Sequence, residues 1–345
     1  MKIIFDFRGH KNKGAVINAM VRHIKTILSS GGECIALHDE GVESELNTAL
    51  ENVNCNIIQY SRKSAKELND VRNFVFCPDI YSVLKAKVGL SRCKVIYWIQ
   101  GELPQESKMK NQGLHRFALY TLLEYFSYKV ADTVIFVSDY MKEYYEDKYS
   151  PKESHLVIPC SSDFRYEYQE KIKNSFCYVG GMSAWQKVDR MIEIFSNIVS
   201  TNEDATLHIA TRDVLELEDV LKRVGVSEKV KKSIFIYSFK SPIEVNEFLN
   251  DKEFGFLLRD ESIVNAVASP IKLAEYLSCG MKVIMSPAVK SYYESLKNTG
   301  AIISEHDDVT CKINEKFSPT PSLKAAEKHF STYNHAEKYR ELFLK

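Results

Sequence analysis

Short apolar runs alternate along the chain with longer segments in which apolar residues recur every three or four positions. Residues 2–7 form an almost continuous apolar run, and residues 15–30 carry their apolar side chains on one helical face. A second run at 34–37 follows the pair Gly31 and Gly32, where the helix is expected to end. The order strand, helix, strand predicts a parallel sheet with helices packed on its faces.

This alternation of strand and helix patterns is interrupted once and then begins again. Residues 164–173 are charged and lack periodicity, which predicts a linker, and a new strand pattern begins at Asn174. We therefore predict an α/β protein of two Rossmann-like lobes, each a doubly wound parallel sheet, with a cleft between the lobes. The predicted domains are residues 1–163 and residues 174–330, and residues 333–345 are predicted to form a last amphipathic helix.

The composition disfavours several classes of protein. The 345 residues include 46 basic and 46 acidic side chains, and the net charge of +0 argues against a general nucleic-acid binder. No run of 18 apolar residues occurs, which disfavours a membrane-spanning helix, and residues 1–5 are too short for a signal sequence. The 8 cysteines form no CxxC pair, so neither a zinc site nor a redox motif is indicated, and a reduced cytoplasmic setting is expected.

One long amphipathic helix is predicted over residues 108–129, with basic residues at its start. Its apolar face is expected to pack on the first sheet. The basic start also allows contact with an anionic membrane surface, which we keep as an additional hypothesis.

The candidate chemistry centres on residues 256–285, whose pattern predicts a strand, a polar loop, a capped helix and a second strand. Ser269 is a favoured N-cap and Pro270 suits the first helical position, so a helix is predicted to start here and to stop at Gly280. A helix N-terminus that follows a strand of an open α/β sheet is a natural anion site. The stretch therefore predicts a crevice that binds a diphosphate.

Four cations are predicted at the same edge of the second sheet. They lie on loops or in a short helix: Lys187, Arg212, Arg259 and Lys272. Cations at this edge suit a diphosphate, because ionised hydrogen bonds to phosphate are strong. Glu275 either forms a surface ion pair with Lys272 or accepts the ribose hydroxyls of a nucleotide. The convergence of these residues favours a nucleotide site.

Two loops of the first lobe are further candidates. Residues 8–14 form a glycine-bearing basic loop that either cradles a phosphate or is a plain solvated turn, since it lacks the GxGxxG pattern. After the strand at 94–99, Glu102 and Glu106 stand where α/β enzymes keep catalytic groups. We interpret Glu102 as the functional candidate and Glu106 as a helix cap.

Several catalytic motifs are missing from the sequence. It has no Walker A pattern, no GxSxG pattern and no cluster of His, Asp and Glu at metal-ligand spacing. These absences disfavour P-loop ATP hydrolysis, serine hydrolysis of the α/β type and a metal site.

Three segments resemble the group 1 glycosyltransferases of GT-B fold: residues 135–149, 178–195 and 257–286. Within the last segment, the pattern SP-x-K-x-x-EYL-x-x-G at 269–280 is the most specific part. The similarity extends over nearly the whole chain. It implies a retaining enzyme that moves a sugar from a nucleotide diphosphate donor without a metal, and a last helix at 333–345 that crosses back to the first lobe.

The resemblance also implies roles for individual residues. Glu275 is similar to the family glutamate that binds the donor ribose, and Lys187 to the lysine that contacts the donor diphosphate. Gly14 matches the glycine-bearing turn that faces the cleft. The cleft histidine that is frequent in the family is missing, and Glu102 stands in its region, so Glu102 and Lys187 are expected to act in catalysis. Three residues at the helix start are implied to bind the donor: Ser269, Pro270 and Ile271.

Two positions depart from the family pattern. The first glutamate of the family's pair is replaced by Val267, and the family's basic residue six positions before Lys187 is Gly181. Arg212 or Arg259 is the candidate substitute for the missing cation. Both arginines and Gly181 are counted among the expected donor-binding residues.

Together these observations predict a cytoplasmic glycosyltransferase of surface polysaccharide synthesis, with peripheral contact at the inner face of the membrane as an added hypothesis. Its expected partners are a nucleotide-sugar donor and a saccharide or polyprenyl-linked acceptor, with no metal, no other cofactor and no nucleic acid. One alternative is a nucleotide-sugar epimerase or hydrolase on the same fold. The other is a non-catalytic partner subunit, which the departures at Val267 and Gly181 keep open.

Overall fold

The computed structural model describes residues 1–168 and 170–344. Residue 169 of the predicted linker and residue 345 of the predicted last helix lie outside the described residues. Two parallel sheets organise the chain, one of seven strands and one of six. They confirm the predicted fold class of two doubly wound α/β lobes.

The first compact unit contains the seven-stranded sheet and combines Met1–Pro159 with Ser331–Lys345. Its strand order is β3-β2-β1-β4-β5-β6-β7, for which the strands are β1 (Ile3–Asp6), β2 (Cys34–His38), β3 (Asn56–Gln59), β4 (Phe74–Cys77), β5 (Lys94–Ile99), β6 (Thr133–Phe136) and β7 (His155–Val157). The order reverses between β1 and β4, and such a switch point is where open α/β sheets bind ligands. The connecting helices are α1 (Gly14–Ser29), α2 (Glu43–Ala49), α3 (Arg62–Leu68), α4 (Ile80–Gly89), α5 (Leu103–Met109), α6 (Leu114–Val130) and α7 (Asp139–Tyr149).

The second unit, Cys160–Phe330, contains the six-stranded sheet. Its strand order is β10-β9-β8-β11-β12-β13, for which the strands are β8 (Ile172–Val179), β9 (Thr206–Ala210), β10 (Ile234–Tyr237), β11 (Lys252–Leu257), β12 (Lys282–Met285) and β13 (Ile302–Ser304). Its switch point therefore lies between β8 and β11. The helices are α8 (Val188–Thr201), α9 (Val214–Val224), α10 (Glu228–Lys232), α11 (Pro242–Asn250), α12 (Ile263–Val267), α13 (Ile271–Ser278), α14 (Lys290–Leu296), α15 (Val309–Lys312) and α16 (Thr320–Phe330).

Strand β8 is buried on both faces, because its alternate side chains enter different cores. Phe176 and Tyr178 belong to the core that α8 and α9 cover. Cys177 and Val179 belong to the core that α11 and α13 cover. The strand end is thus held from both sides, and the loop that follows it starts from a fixed position.

Helix α17 (Thr332–Leu344) lies against α1 in the first unit. Tyr339 is fully buried, and its hydroxyl shares a 2.6 Å hydrogen bond with His23 Nδ1. Burial lowers the pKa of His23 to about 3, so the imidazole is neutral at physiological pH. Phe343 packs edge-on against Phe74 of β4, with ring centroids 5.1 Å apart. The helix therefore completes the core of the first unit.

The single helix predicted over residues 108–129 is wrong, because α5 and α6 share this region with a turn between them. Gly113 makes the break: its φ of +91° is left-handed, and a Cβ there would lie 2.9 Å from the His115 ring. The residues of the turn, 110–113, are polar and end in glycine, which is a turn signal that the prediction of one helix passed over. Within residues 1–168 and 170–344, no helix combines the length and hydropathy that a membrane crossing requires.

Candidate functional site

The loop after β8 brings backbone and charged side chains into close contact. Gly180 has a φ of +149°, and its N–H donates to Ala210 O at 2.9 Å. A Cβ at Gly180 would overlap Lys272 Nζ, and one at Gly181 would lie 2.9 Å from Asp213 Oδ2. The two glycines therefore allow an ammonium and a carboxylate to approach the backbone at the switch point of the second sheet.

Lys272 reaches this loop from the first turn of α13. Its Nζ donates to Gln186 Oε1 at 2.9 Å and to the Tyr178 hydroxyl at 3.2 Å, and it lies 4.2 Å from the centre of the Tyr178 ring. The pKa of Lys272 is lowered to about 7, mainly by burial and in smaller part by the positive charge of Arg259, while Glu275 opposes both effects. The charge of this lysine is thus sensitive to any anion that enters.

Arg259 directly follows the apolar end of β11 and is the second cation of the cluster. Its Nη1 donates to Gln186 Oε1 at 2.7 Å and to Leu258 O at 2.8 Å, and its backbone N–H donates to Ser286 Oγ at 2.8 Å. Burial lowers the pKa of Arg259. The amide oxygen of Gln186 is therefore a neutral acceptor that joins two cations, Arg259 and Lys272.

Lys187 occupies the capping position before α8 with a φ of +50°. Left-handed backbone in a residue other than glycine costs about 1–3 kcal/mol and is concentrated at functional sites. Lys187 Nζ lies 3.0 Å from Asp260 Oδ1, and the hydrogen bond to Asp260 raises the pKa of Lys187. The pair is about half exposed, so its net contribution to stability is small and a stronger anion can displace Asp260.

The predicted N-cap at Ser269 is wrong. Helix α13 begins at Ile271, Pro270 occupies the cap position, and no side chain caps the helix. Ser269 Oγ instead accepts a hydrogen bond from the Cys160 N–H at 3.0 Å and shares one with the Tyr292 hydroxyl at 2.8 Å. The Ser269 hydroxyl is thus already used to tie the start of the second unit to α14.

Arg212 and Glu275, two further residues of the predicted site, belong to different segments of the second unit. Arg212 is exposed in the loop after β9 and lines a pocket of about 310 Å³. Glu275 is half-buried in α13, one turn after Ile271. Its carboxylate acts electrostatically on Lys272, and the residue is not without interaction partners. The pocket is lined by Val179, Gly180, Gly181, Ala210, Thr211, Arg212, Asp213, Phe239 and Val245.

Glu102 lies in the first unit and exposes no surface. It caps α5 by accepting from the Gln105 N–H at 2.5 Å, so the cap that the sequence assigned to Glu106 belongs to Glu102. Its other oxygen accepts from Lys148 Nζ at 2.5 Å and from the Tyr144 hydroxyl at 3.1 Å. These contacts give Glu102 a structural role at the start of α5, while its action in catalysis stays a prediction.

Gly14 is the first residue of α1 and is exposed. No atom lies within 4 Å of the position that a Cβ would take there, so no close approach requires glycine at this point. The residue lines an open groove of about 420 Å³ in the first unit, together with Ile17, Asn18, Ser44, Glu45, Thr48 and Ala49.

The second unit therefore brings together Lys187, Gly181 and Arg259 of the predicted site and adds two residues that the sequence analysis did not select. Tyr178 places its ring under Lys272, and its hydroxyl donates to Gly181 O at 2.6 Å. Gln186 is the acceptor between the cations. Neither has a sequence signal, because an aromatic residue in a strand and an amide in a turn are most often structural.

Comparisons with known proteins show the fold. No family model matches the chain, and no curated protein matches it. Among solved structures, Anabaena Alr3699/HepE in complex with UDP and glucose is 13% identical with a TM-score of 0.73, over 100% of this chain and 99% of that one. A glycosyltransferase from Rickettsia africae is 12% identical with a TM-score of 0.68, over 100% and 98%. A mutant of S. aureus TarM in complex with Fondaparinux, alpha-GlcNAc-glycerol and UDP is 9% identical with a TM-score of 0.71, over 100% of both chains.

Proposed function

We propose that this protein is a glycosyltransferase, which moves a sugar from a nucleoside diphosphate donor to a hydroxyl group of a saccharide or lipid-linked acceptor. The observation that carries the proposal is the pair of partly buried cations, Lys272 and Arg259, which share a neutral acceptor at the switch point of the second sheet. An incoming diphosphate supplies charge-assisted hydrogen bonds in place of that neutral partner. The structural likeness to glycosyltransferases solved with UDP supports the same function.

The pocket beside Arg212 is the proposed site of the donor base and ribose. Phe239 and Val245 give it an apolar wall, which suits a flat base, and the loop backbone supplies polar groups that orient it. We assign the ribose hydroxyls to Glu275 and the diphosphate to Lys187 together with the cation pair. The uracil of UDP is the first base to test, because the solved relatives bind UDP.

In the proposed reaction, the bond between the anomeric carbon and the diphosphate oxygen breaks, and the electron pair leaves with the diphosphate. The acceptor oxygen bonds to the anomeric carbon on the same face, and its proton passes to an oxygen of the departing diphosphate. Lys187, Arg259 and Lys272 stabilise the negative charge that develops on the leaving group. Since three cations supply that charge stabilisation, we propose that transfer is independent of metal ions. Because the acceptor bonds on the face from which the diphosphate departs, the anomeric configuration is retained.

The first test of this function is nucleotide binding measured by calorimetry. Lys272→Ala and Arg259→Ala should each weaken UDP binding roughly 10- to 100-fold, because each removes a charge-assisted contact of about 1.5–3 kcal/mol. Lys231→Ala is the matched control, since Lys231 pairs with Glu228 on the exposed helix α10 of the same unit.

The outcomes of that test separate the alternatives. Absence of heat from the unaltered protein with UDP, GDP and ADP alike would contradict a nucleotide-sugar enzyme and favour a non-catalytic subunit. With UDP-glucose as sole substrate, complete hydrolysis or epimerisation in the absence of acceptor would favour the other enzyme class.

Helix α6 suggests where the enzyme works. Its outward side chains are largely apolar, with Arg116 near the start and Lys129 near the end, and its acidic residue Glu124 is buried against Lys148. We propose that this face contacts anionic lipid at the cytoplasmic surface of the membrane, where a polyprenyl-linked acceptor of polysaccharide synthesis would be available. The exposed apolar residues of the face are Leu114, Leu119, Leu122, Tyr125, Phe126 and Val130.

Membrane contact is tested by co-sedimentation with lipid vesicles. The double variant Leu122→Ser and Phe126→Ser should bind phosphatidylglycerol-containing vesicles several-fold less, because it removes apolar area worth about 25 cal/mol per Å². The matched control is Leu215→Ser and Ile243→Ser, two apolar residues of the second unit that are even more exposed than Leu122 and Phe126. Equal sedimentation of both double variants, or equal binding of the unaltered protein to purely neutral vesicles, would refute the α6 surface.

A further inference from the structure

Outside the donor cluster, two polar loops meet at the switch point of the first sheet. His10 follows β1 and Asp79 follows β4, and these strands are neighbours in the sheet. His10 Nε2 lies 3.1 Å from Asp79 Oδ2. Asp79 Oδ1 accepts hydrogen bonds from the N–H and hydroxyl of Ser82 at 2.8 and 3.0 Å, which caps α4. The carboxylate is therefore held by α4 while it orients the imidazole.

The second ring nitrogen of His10 has an unusual environment. The His10 side chain is buried, and within residues 1–168 and 170–344 its Nδ1 forms no hydrogen bond and is closed to water. A buried polar atom without a partner costs about 1–3 kcal/mol. Such atoms are rare in native proteins and call for a functional explanation, most of all at a sheet position that favours ligands.

We propose that His10 Nδ1 binds a hydroxyl group of the acceptor saccharide, and that Asp79 is the positioning residue that holds the imidazole for this contact. The inference rests on the proposed glycosyltransferase function and names the acceptor's hydrogen-bond partner in the first unit. The acceptor O–H donates to the Nδ1 lone pair, which supplies the partner that the buried atom lacks. The contact binds and orients the acceptor, and no covalent bond changes at His10.

Asp79 determines which proton the His10 ring carries. Although burial opposes it, hydrogen bonds from His10 and Ser82 lower the pKa of Asp79 to about 2, so the carboxylate is ionised at neutral pH. The 3.1 Å contact directs an Nε2 proton at the carboxylate, and in the tautomer that this contact selects Nδ1 carries only a lone pair. That lone pair accepts from a hydroxyl but cannot bind an ionised phosphate oxygen, which has no proton to donate. The chemistry therefore selects a hydroxyl-rich ligand rather than a second phosphate.

Access to Nδ1 requires a shift of residues 9–13. The Gly9 N–H donates to Asp39 Oδ2 at 2.8 Å, and the Asn12 N–H donates to Glu45 Oε1 at 3.1 Å. Both hydrogen bonds are exposed, and each contributes about 1 kcal/mol. Arg8 anchors the start of the loop through buried hydrogen bonds to Asp6, while the contacts of Gly9 and Asn12 are ones that a ligand can replace.

The direct test is nitrogen NMR of protein that carries isotope on histidine, with the His10 signals assigned by comparison with the His10→Gln variant. The probes are octyl β-D-glucoside, octyl β-D-galactoside and octyl N-acetyl-β-D-glucosaminide below their micelle concentrations. We expect a neutral ring protonated at Nε2 in the free protein, and a saturable shift of the Nδ1 signal with one or more probes. A proton on Nδ1 in the free protein, or no saturable shift with any probe, would overturn the inference.

Variants separate ligand binding from a merely structural role. His10→Ala and Asp79→Asn should weaken binding of the responding probe roughly tenfold, while His10→Gln, which keeps an acceptor oxygen, should recover part of the affinity. UDP affinity should stay unchanged in all three. His155→Gln is the matched control, because His155 is partly buried in the same unit and bonded to the Lys152 carbonyl.

The two proposals fail in different ways. Equal probe binding by His10→Ala and by the unaltered protein would overturn the His10 inference. Loss of UDP binding together with probe binding would indicate a structural defect and would equally overturn it. A protein that binds a probe but no nucleotide would instead contradict the proposed glycosyltransferase function.

Discussion

Gly180 has no side chain, and Lys272 occupies the space that one would fill. Its φ of +149° is a conformation open chiefly to glycine, and a Cβ there would also come within 3.2 Å of the Tyr178 hydroxyl. The Lys272 ammonium occupies that space above the Tyr178 ring. Glycine and lysine therefore depend on each other, although one belongs to a loop and the other to a helix far along the chain.

We expect Gly180→Ala to weaken UDP binding at least tenfold, because Lys272 must leave its place beside the loop. Gly225→Ala is the matched control: its φ is +72°, and no atom lies within 4 Å of its added Cβ. Both variants should lose about 1 kcal/mol of stability from backbone strain. Calorimetry and thermal unfolding measure the two effects, and equal UDP affinity in the two variants would show that the contact with Lys272 is irrelevant.

The location of charged residues was predictable where it depends only on their place after a strand of the sheet. The cations Lys187 and Arg259 follow from the pattern, because loops after parallel strands meet at one edge of the sheet. Gln186 did not, since its role between two cations depends on how three separate segments pack. The N-cap prediction for Ser269 failed because its hydroxyl forms hydrogen bonds with Cys160 and Tyr292, which are distant in sequence, and not with the helix backbone.

At the scale of elements, the contact of α17 with α1 buries the hydrogen-bonded pair of His23 and Tyr339 in the core of the first unit. The imidazole of His23 also lies edge-on to Trp98, with ring centroids 4.4 Å apart. The pKa of His23 is about 3 in the folded protein, against an ordinary value of 6.5. Between these pH values the unfolded chain binds a proton that the folded protein does not, so the free energy of unfolding falls as the pH drops from about 6.5 toward 3.

The paired substitution His23→Leu with Tyr339→Phe should reduce this acid sensitivity. It replaces both hydrogen-bond partners by apolar groups, which is close to neutral for stability at pH 7. The free energy of unfolding of the first unit is followed by Trp98 fluorescence in a Trp185→Phe background, since the chain has only 2 tryptophans. If the paired variant lost as much stability between pH 7 and pH 5 as its parent, His23 would not be the source.

Element order was the most predictable level, because apolar runs and helical periodicity follow from burial on two faces of a sheet. The prediction failed where a short polar turn separates two helical segments and was counted as part of one helix. The turn at Gly113 inside the predicted helix at 108–129 is such a case. Helices of five to seven residues, such as α2 and α12, are also too short to show a readable period.

For the whole molecule, the fold is similar to solved structures at 13% identity or less, over 100% of this chain. The proposed chemistry therefore depends on the site itself and not on shared residues. Lys187, Arg259 and Lys272 lie in one unit as neighbours of the same sheet edge. That is the arrangement which the proposed leaving-group stabilisation uses.

The stereochemistry of transfer tests that arrangement as a whole. We expect the anomeric configuration of the product to match that of the donor, because the departing diphosphate takes the proton on the face where the acceptor attacks. Proton NMR of the glycoside formed from UDP-glucose and an accepted octyl glycoside measures it. An inverted product would contradict the same-face mechanism while leaving sugar transfer itself intact.

The return of α17 to the first unit has a consequence for how the molecule is made. On the ribosome, the whole stretch from Cys160 to Phe330 emerges before the helix that covers α1 has been synthesised. Until then His23 lacks its contact with Tyr339, and Phe74 lacks its contact with Phe343. The first unit is thus synthesised first but completes its fold last. Until α17 is made, its uncovered surface is where chaperones would recognise the nascent chain.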